Sequence, residues 1–119
     1  MAYDEELAHR IRETLRGEPG LTEQPMFGGL AFLLHGNMAV AASGQGGLLV
    51  HIDPVHAEEW VDEPYVQRME MRGRTMDGWL RVHAEAIDAD DDLRRWVERG
   101  TTCARSLPPK QPKQPRQAT

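Results

Sequence analysis

Four arginines and a tryptophan between residues 68 and 81 have the types and spacing best suited to a binding surface. They are Arg68, Arg72, Arg74, Trp79 and Arg81. Alternating side chains over 66–72 and 78–84 predict two paired strands, which would put Arg68 and Arg72 on one face. Arginine and tryptophan are enriched in protein–protein hot spots and also suit nucleic acid. The alternative is a solvated strand face, partly paired with Glu70 and Asp77.

The histidines and the cysteine form no catalytic or metal-binding pattern. The five histidines are His9, His35, His51, His56 and His83, and no two have HxH or HxxxH spacing. Cys103 falls on the apolar stripe of a predicted helix, which favours a buried, unreactive thiol. We therefore expect no catalytic residues, no metal ligands and no cofactor. A small-molecule or metal-dependent enzyme with a pocket lined by His51 or His83 stays open as an alternative.

The elements that would position these residues are organised around a glycine-punctuated run over 26–52. Its alternation predicts a three-stranded β-meander, with turns at Gly36-Asn37 and over 43–47. One face would carry Leu30, Phe32, Leu34, Met38, Val40, Ala42, Leu48, Val50 and Ile52. Residues 21–27 predict an additional edge strand, because Pro25 has no N–H to donate to a neighbour.

The opposite face of the meander is small but still apolar. It would carry Ala31, Leu33, Ala39, Ala41, Leu49 and His51. Such a face is either covered by a helix or available to a partner. Leu33, Leu49 and His51 therefore join the arginine hairpin as candidate partner-binding residues.

Three helices complete the prediction. The first spans 4–16 with Asp4 as N-cap, and the second opens at Asp53-Pro54. The third follows a cap at Asp88 and runs to Leu107, with Gly100 as a place where it could bend. The expected fold is α+β, with an antiparallel sheet of about five strands (meander plus hairpin) and three helices.

Charge and composition divide the chain into a domain over 1–107 and a tail over 108–119. The tail is rich in proline and glutamine, carries three cations and no acid, and is expected to be disordered or extended. Without it, the net charge of −5 becomes −8 for the body. An acidic body disfavours non-specific nucleic-acid binding, which depends on lysine and arginine neutralising phosphates.

The cysteine count and hydropathy predict a cytoplasmic protein. A single cysteine precludes an intramolecular disulfide, which suits a reducing compartment. No apolar run approaches the roughly 20 residues that span a bilayer, so no membrane partner is expected. The acidic N-terminus is unlike a secretory signal.

Several local motifs, in this order, resemble the N-terminal domain of the TfoX/Sxy competence-regulator family. They are MAYDEEL at the start, MFGG at 26–29 with the following LAFLLHGNMA, Gly78-Trp79, and ARSLPPK at 104–110. The resemblance spans residues 3–110 and implies an α+β, secretion-chaperone-like architecture. It also implies a regulator of DNA-uptake genes that acts with the cyclic-AMP receptor protein at promoters. The family has no agreed catalytic residues.

The resemblance and the residues together favour a non-enzymatic, protein-binding regulatory domain, acting as a transcriptional co-regulator. We expect a stand-alone form, because the second helical domain of the longer regulators has no counterpart in this sequence. The expected partner is a protein, by resemblance part of the transcription machinery, and a homodimer is left open. Direct nucleic-acid binding through the arginine hairpin and the basic tail is the secondary hypothesis.

Overall fold

A computed structural model describes residues 3–26, 28–71 and 73–108 of the chain. The α-helices are α1 (Glu5–Thr14), α2 (Ala57–Trp60) and α3 (Asp90–Arg105). The strands are β1 (Leu21–Met26), β2 (Gly29–Leu34), β3 (Asn37–Ala42), β4 (Leu48–His51), β5 (Val66–Met71) and β6 (Arg74–Val82). Short 3-10 helices, Pro54–His56 and Ala84–Ile87, precede α2 and α3. The predicted α+β class with three helices is confirmed.

The strands form one antiparallel sheet in the order β1-β2-β3-β4-β6-β5. The predicted meander is present, and the predicted hairpin joins it through β6, which pairs with β4. The described sheet has six strands rather than about five, because β1 pairs with β2 along its whole length, from Leu21↔Leu34 to Met26↔Gly29. An isolated bridge between Asp62 and Val66 adds one further pairing.

All three helices pack on one face of the sheet, which we call the first face. Its strand residues are Leu30, Phe32, Val40, Ala42, Leu48, Val50, Val66, Leu80 and Val82. The helices contribute Leu7, Ala8, Ile11, Ala57, Leu93, Trp96 and Val97 to the same cluster. The opposite, second face has its own cluster, formed by strand residues alone: Ala31, Leu33, Ala41, Leu49 and Met69.

The first two strands of the meander connect one residue earlier than predicted. Leu34 pairs with Asn37, so the two-residue turn is His35-Gly36 and not Gly36-Asn37. Both turn residues have positive φ, 51° and 85°, as a type I′ turn requires. Histidine is among the non-glycine residues that reach this region more readily than most. Asn37 is thereby released from the turn and becomes a buried strand residue, 3% exposed.

The last hairpin is also tighter than predicted. Met71 pairs with Arg74, so the connection is two residues long and β6 begins well before residue 78. The prediction that residues 73–77 separate the two strands is therefore wrong, because residues 74–77 belong to β6. Because β6 begins at Arg74, Met76 and Trp79 lie on the same strand.

Two of the three predicted helix caps are confirmed and the third is wrong. The Asp4 carboxylate accepts from the backbone N–H groups of Glu6 and Leu7 at 3.0 and 3.1 Å, so this N-cap is confirmed. Asp53 caps Pro54–His56 by accepting from the N–H of Val55 at 3.1 Å. The cap at Asp88 is wrong: α3 begins after Ala89, whose side chain cannot accept.

The third helix continues without interruption through Gly100 to Arg105. The reason for a glycine there is contact with the sheet. A β-carbon at this position would run into the carbonyl oxygen of Ala39 and lie 2.8 Å from Cγ1 of Val40. Close packing of α3 on β3 therefore outweighs the poor helix propensity of glycine.

Candidate functional site

The second face carries an apolar groove with a volume of about 510 Å³, which we call the second-face groove. Its apolar lining comes from all six strands and from one residue beyond the end of α3: Met26, Leu33, Met38, Ala41, Ala42, Leu49, Met69, Met76, Trp79 and Leu107. The polar residues Gln24, Asn37, Ser43 and His51 also line it. In the described part of the chain no helix covers this face.

The depth of the groove follows from small residues on the central strands. Ala31 and Ala41 are opposite each other on β2 and β3, and both are buried. Leu33 and Leu49 lie beside them at 8% and 5% exposure. Two methyl groups leave space where larger side chains would fill the surface, and longer side chains around them form the walls.

Methionine supplies most of those walls: Met26, Met38, Met69 and Met76 are four of the chain's six. An unbranched thioether adapts its rotamer to whatever it contacts, which is why methionine is frequent at surfaces that accept varied ligands. The sequence prediction missed these residues as part of the site. For Met69 the signal was its alternation with Arg68 and Glu70.

Met38 was predicted on the first face and the structure shows it on the second. The register shifts between Phe32 and Leu33, so that Phe32 pairs with Val40 but Leu33 pairs with Met38. A bulge of this kind adds one residue to a strand, here Ala39, so that Met38 before it and Val40 after it lie on opposite faces. A prediction based on strict alternation cannot include such a bulge.

At one side of the groove the imidazole of His51 stacks on the indole of Trp79. The ring centroids are 4.5 Å apart and the planes differ by 12°. Nδ1 of His51 is 2.9 Å from the carbonyl oxygen of Met38. A carbonyl can only accept, so Nδ1 carries the proton and Nε2 is the acceptor of the neutral ring. The pair offers a flat aromatic surface with an acceptor, Nε2 of His51, and a donor, the indole N–H of Trp79.

A polar cavity of about 750 Å³ adjoins the groove and shares Ser43, Leu49 and Met69 with it. Arg81 lies in it and donates to Oγ of Ser43 (3.2 Å), the carbonyl of Gly46 (3.1 Å) and Oε1 of Gln45 (3.3 Å). All three acceptors are neutral. Arg81 thus fixes the glycine-rich turn before β4 while its charge lacks an ion-pair partner among the described residues.

The other predicted arginines are not gathered beside Trp79. Arg68 lines the polar cavity and its Nη2 is 3.5 Å from Oε1 of Glu58 in an ion pair. Arg74 is exposed at the start of β6. Arg72 lies outside the described residues. The structure brings together Leu33, Leu49, His51 and Trp79 in one groove and places Arg68 and Arg81 in the neighbouring cavity.

A third cavity, of about 520 Å³, lies between α2 and α3 and contains Cys103. Burial, and secondarily Asp53, raises the pKa of the Cys103 thiol, so it stays protonated near neutral pH and is a poor nucleophile. Within the described residues, no group of three or more histidine, cysteine, aspartate or glutamate side chains is arranged to hold a metal ion.

Arg99 lines the same cavity and joins the two helices. Its guanidinium carbon is 4.4 Å from the ring centre of Trp60 and 4.5 Å from that of Trp96. The two indoles are nearly perpendicular, at 86°. Burial, with a smaller contribution from Arg95, lowers the pKa of Arg99. This contact belongs to the helix-covered side of the molecule, away from the groove.

The model of the TfoX N-terminal domain family matches residues 13–104, well over half of the chain. The chain belongs to the TfoX N-terminal domain family. The resemblance inferred from its local motifs is therefore confirmed. Searches of curated proteins and of solved structures found no significant match. The expected likeness to secretion chaperones stays a prediction.

The MFGG motif of this TfoX N-terminal domain has a structural explanation in its last glycine. Gly29 opens β2 opposite Met26, and a β-carbon there would collide with the carbonyl oxygen of Ala42 on β3. The motif thus allows three strands to approach at one edge of the groove, where Met26 forms part of the wall.

None of the helices in the described ranges is long and apolar enough to cross a membrane.

Proposed function

We propose that this TfoX N-terminal domain is a non-enzymatic, cytoplasmic regulatory module that binds a protein partner through the second-face groove. The observation that carries the proposal is an apolar groove of about 510 Å³ on a sheet face to which none of the described helices contributes. A soluble domain rarely leaves a large apolar surface open unless something binds it. Membership of a family with a regulatory, competence-related role supports the same reading.

The occupant that fits is a segment of a partner protein with apolar side chains along one side and an acidic residue at one end. Methionine walls adapt to aliphatic or aromatic side chains, and Trp79 stacked on His51 provides a rigid anchor of the kind found in hot spots. The adjoining cavity holds the Arg81 charge, whose acceptors among the described residues are all neutral, and this would favour a carboxylate there. A concave groove also needs a convex occupant, so two copies would not fit groove to groove.

The test is capture of partners by three forms of the full chain: wild type, Met38→Glu and Val55→Glu. Met38 is a partly exposed groove wall, so a charge there obstructs the site without entering the first-face core. Val55 is 73% exposed and lies outside the groove, which makes it the matched apolar-to-acid control. Thermal melting of each form first establishes that all three are folded.

We expect a partner retained by wild type and Val55→Glu and lost with Met38→Glu. With that partner purified, calorimetry should show at least a tenfold weaker Kd for Met38→Glu, a change of about 1.4 kcal/mol. Identical captured proteins with all three forms would refute the groove as the docking site. An eluate rich in nucleic acid, sensitive to salt and indifferent to Met38→Glu, would favour the nucleic-acid hypothesis instead.

A further inference from the structure

The described chain ends at the wall of the second-face groove. Leu107 lines the groove, and the carbonyl oxygen of Pro108 accepts a hydrogen bond from Nδ2 of Asn37 at 2.9 Å. Asn37 is almost fully buried and is itself a groove residue. A buried amide needs a partner, and here the partner is the backbone at the exit of the folded body. Pro108, the last described residue, is therefore held beside the groove.

The sequence that follows has a period of three. Residues 109–117 read PKQ, PKQ, PRQ. A polyproline II helix has three residues per turn, so in that conformation each residue type would form its own edge. The three edges are prolines (Pro109, Pro112, Pro115), cations (Lys110, Lys113, Arg116) and glutamines (Gln111, Gln114, Gln117). The proline edge is the apolar one.

We propose that residues 109–117 bind in the second-face groove of their own chain as a polyproline II helix, with the proline edge against the methionines and Trp79. Proline-rich segments bind aromatic-lined grooves in this conformation because little conformational entropy is lost. At about 3.1 Å per residue the nine residues span about 28 Å. Six strands about 4.8 Å apart make a sheet about 24 Å wide, so the segment can cross it.

Charge favours the same arrangement. The segment carries three cations and no acid, whereas the rest of the chain has an excess of acidic residues. The polar cavity that adjoins the groove is lined by two glutamates and two arginines (Glu63, Glu70, Arg68 and Arg81), so their charges balance. The attraction therefore comes from the net negative charge of the body as a whole. With the proline edge facing the groove, the cationic edge can stay in solvent, and the apolar match is between the prolines and the methionine walls.

This inference rests on the proposed function, because the segment would occupy the site that we assign to a partner. Because the segment directly follows Pro108, its binding is intramolecular, with an effective concentration of the order of millimolar. A segment with an intrinsic Kd of about 1 mM would then fill the groove for about half of the time and weaken a partner's apparent affinity about twofold. A partner would therefore have to displace the segment before it could bind in the groove.

The experiment follows the methionine ε-methyl groups of the full chain by NMR with methyl-labelled methionine. The test variant is Pro109→Ala with Pro112→Ala and Pro115→Ala, and the matched control is Gln111→Ala with Gln114→Ala and Gln117→Ala. We expect the ε-methyl signals of Met38, Met69 and Met76 to shift in the proline variant and to stay in place in the glutamine control. Adding the synthetic peptide PKQPKQPRQ to the proline variant should move them back towards the wild-type positions.

Two results would overturn the inference. The first is methyl signals that coincide in wild type and proline variant, or that move equally in the glutamine control. The second is wild-type positions that approach those of the proline variant on dilution, which would mean that the segment binds a second copy. Because no partner is present in this experiment, the methyl shifts report on the segment alone. Shifts without partner capture would support self-binding and count against the proposed function. Partner capture without shifts would support the proposed function and count against self-binding.

Discussion

The two faces of the sheet are made by alternate residues of the same strands, yet they are completed in different ways. Leu48 and Leu49 are neighbours on β4, but Leu48 lies under the helices with 0% exposure and Leu49 forms the floor of an open groove. The first face is closed by three helices of the same chain. Among the described residues, the second face is covered by its own methionine and tryptophan side chains and by no helix. The strands thus provide stability on one side and leave the other side for binding.

The sharpest test of this difference compares Leu48→Ala with Leu49→Ala. A buried leucine replaced by alanine costs about 2–5 kcal/mol, more where the surroundings cannot close the cavity. We expect a loss of about 4 kcal/mol in the free energy of unfolding for Leu48→Ala and about 2 kcal/mol or less for Leu49→Ala, because the groove already borders that site. Urea denaturation measures both. Equal losses would mean that the second face is packed as tightly as the first.

Gly100→Ala tests how closely α3 approaches the sheet. Alanine should gain about 1 kcal/mol of helix propensity, but its methyl group would meet a backbone carbonyl that cannot move away. We expect a net destabilisation of about 1–2 kcal/mol in thermal or urea unfolding. Thr102→Ala, at an exposed position of the same helix, is the control and should be neutral or slightly stabilising. A stabilised Gly100→Ala protein would show that helix and sheet can separate without loss.

Arg99→Gln tests the aromatic link between α2 and α3. The substitution keeps much of the side chain but removes the charge over the two indoles, a contact worth about 1 kcal/mol at partly exposed sites. We expect about that loss in urea unfolding, with a change in tryptophan fluorescence. Arg94→Gln removes an exposed ion pair with Asp91 in the same helix and should stay within about 0.5 kcal/mol of wild type. Equal effects would assign the contribution of Arg99 to helix charge alone.

The smallest effect is expected where α1 meets the edge strand. Nε and Nη2 of Arg12 lie 2.6 and 2.9 Å from the Glu23 carboxylate, and this hydrogen-bonded pairing lowers the pKa of Glu23. A lowered carboxyl pKa in the folded state stabilises the protein above the unfolded value of about 4.3, and the gain is lost as the pH falls through the folded value.

Glu23→Gln should therefore lower the melting temperature slightly at pH 7 and converge with wild type in acid. The effect is small because the pair is largely exposed to solvent. Melting curves of both proteins at several pH values measure it. A difference that stays constant into acid would show that the glutamate acts through packing, and that this contact is not electrostatic.

The sequence predicted those features that depend on neighbouring residues. Alternation along β2, β3 and β4 identified the meander and the faces of its residues except Met38 and Ala39 at the start of β3. Asp4 and Asp53 were recognisable as caps because a cap needs only two or three residues of context. The apolar character of Leu33 and Leu49 on the second face could be read in the same way. These are local patterns, and the structure confirms that these residues lie where the patterns placed them.

The rest depended on register between strands, which a period of two does not encode. The shift at Phe32 and Leu33 moved Met38 across the sheet. The pairing of β6 with β4 brought Trp79 against His51, residues far apart in the sequence. The arginine surface was predicted from amino-acid types alone. In the structure, the hydrogen-bond partners of Arg81 lie in the turn after β3. None of these pairings leaves a signal within a short stretch of sequence.

The two edges of the sheet limit how this domain can assemble. β1 has Pro25, which cannot donate to a new strand, and β5 has a register irregularity at Arg68 and Met69 beside the exposed charge of Glu70. Proline, irregularity and charge are the means by which natural sheets avoid edge-to-edge growth. The domain is thus protected against fibrillar extension at high concentration. Recognition through added β-strands is disfavoured at both borders, so discrimination between ligands falls to side chains and not to the peptide backbone.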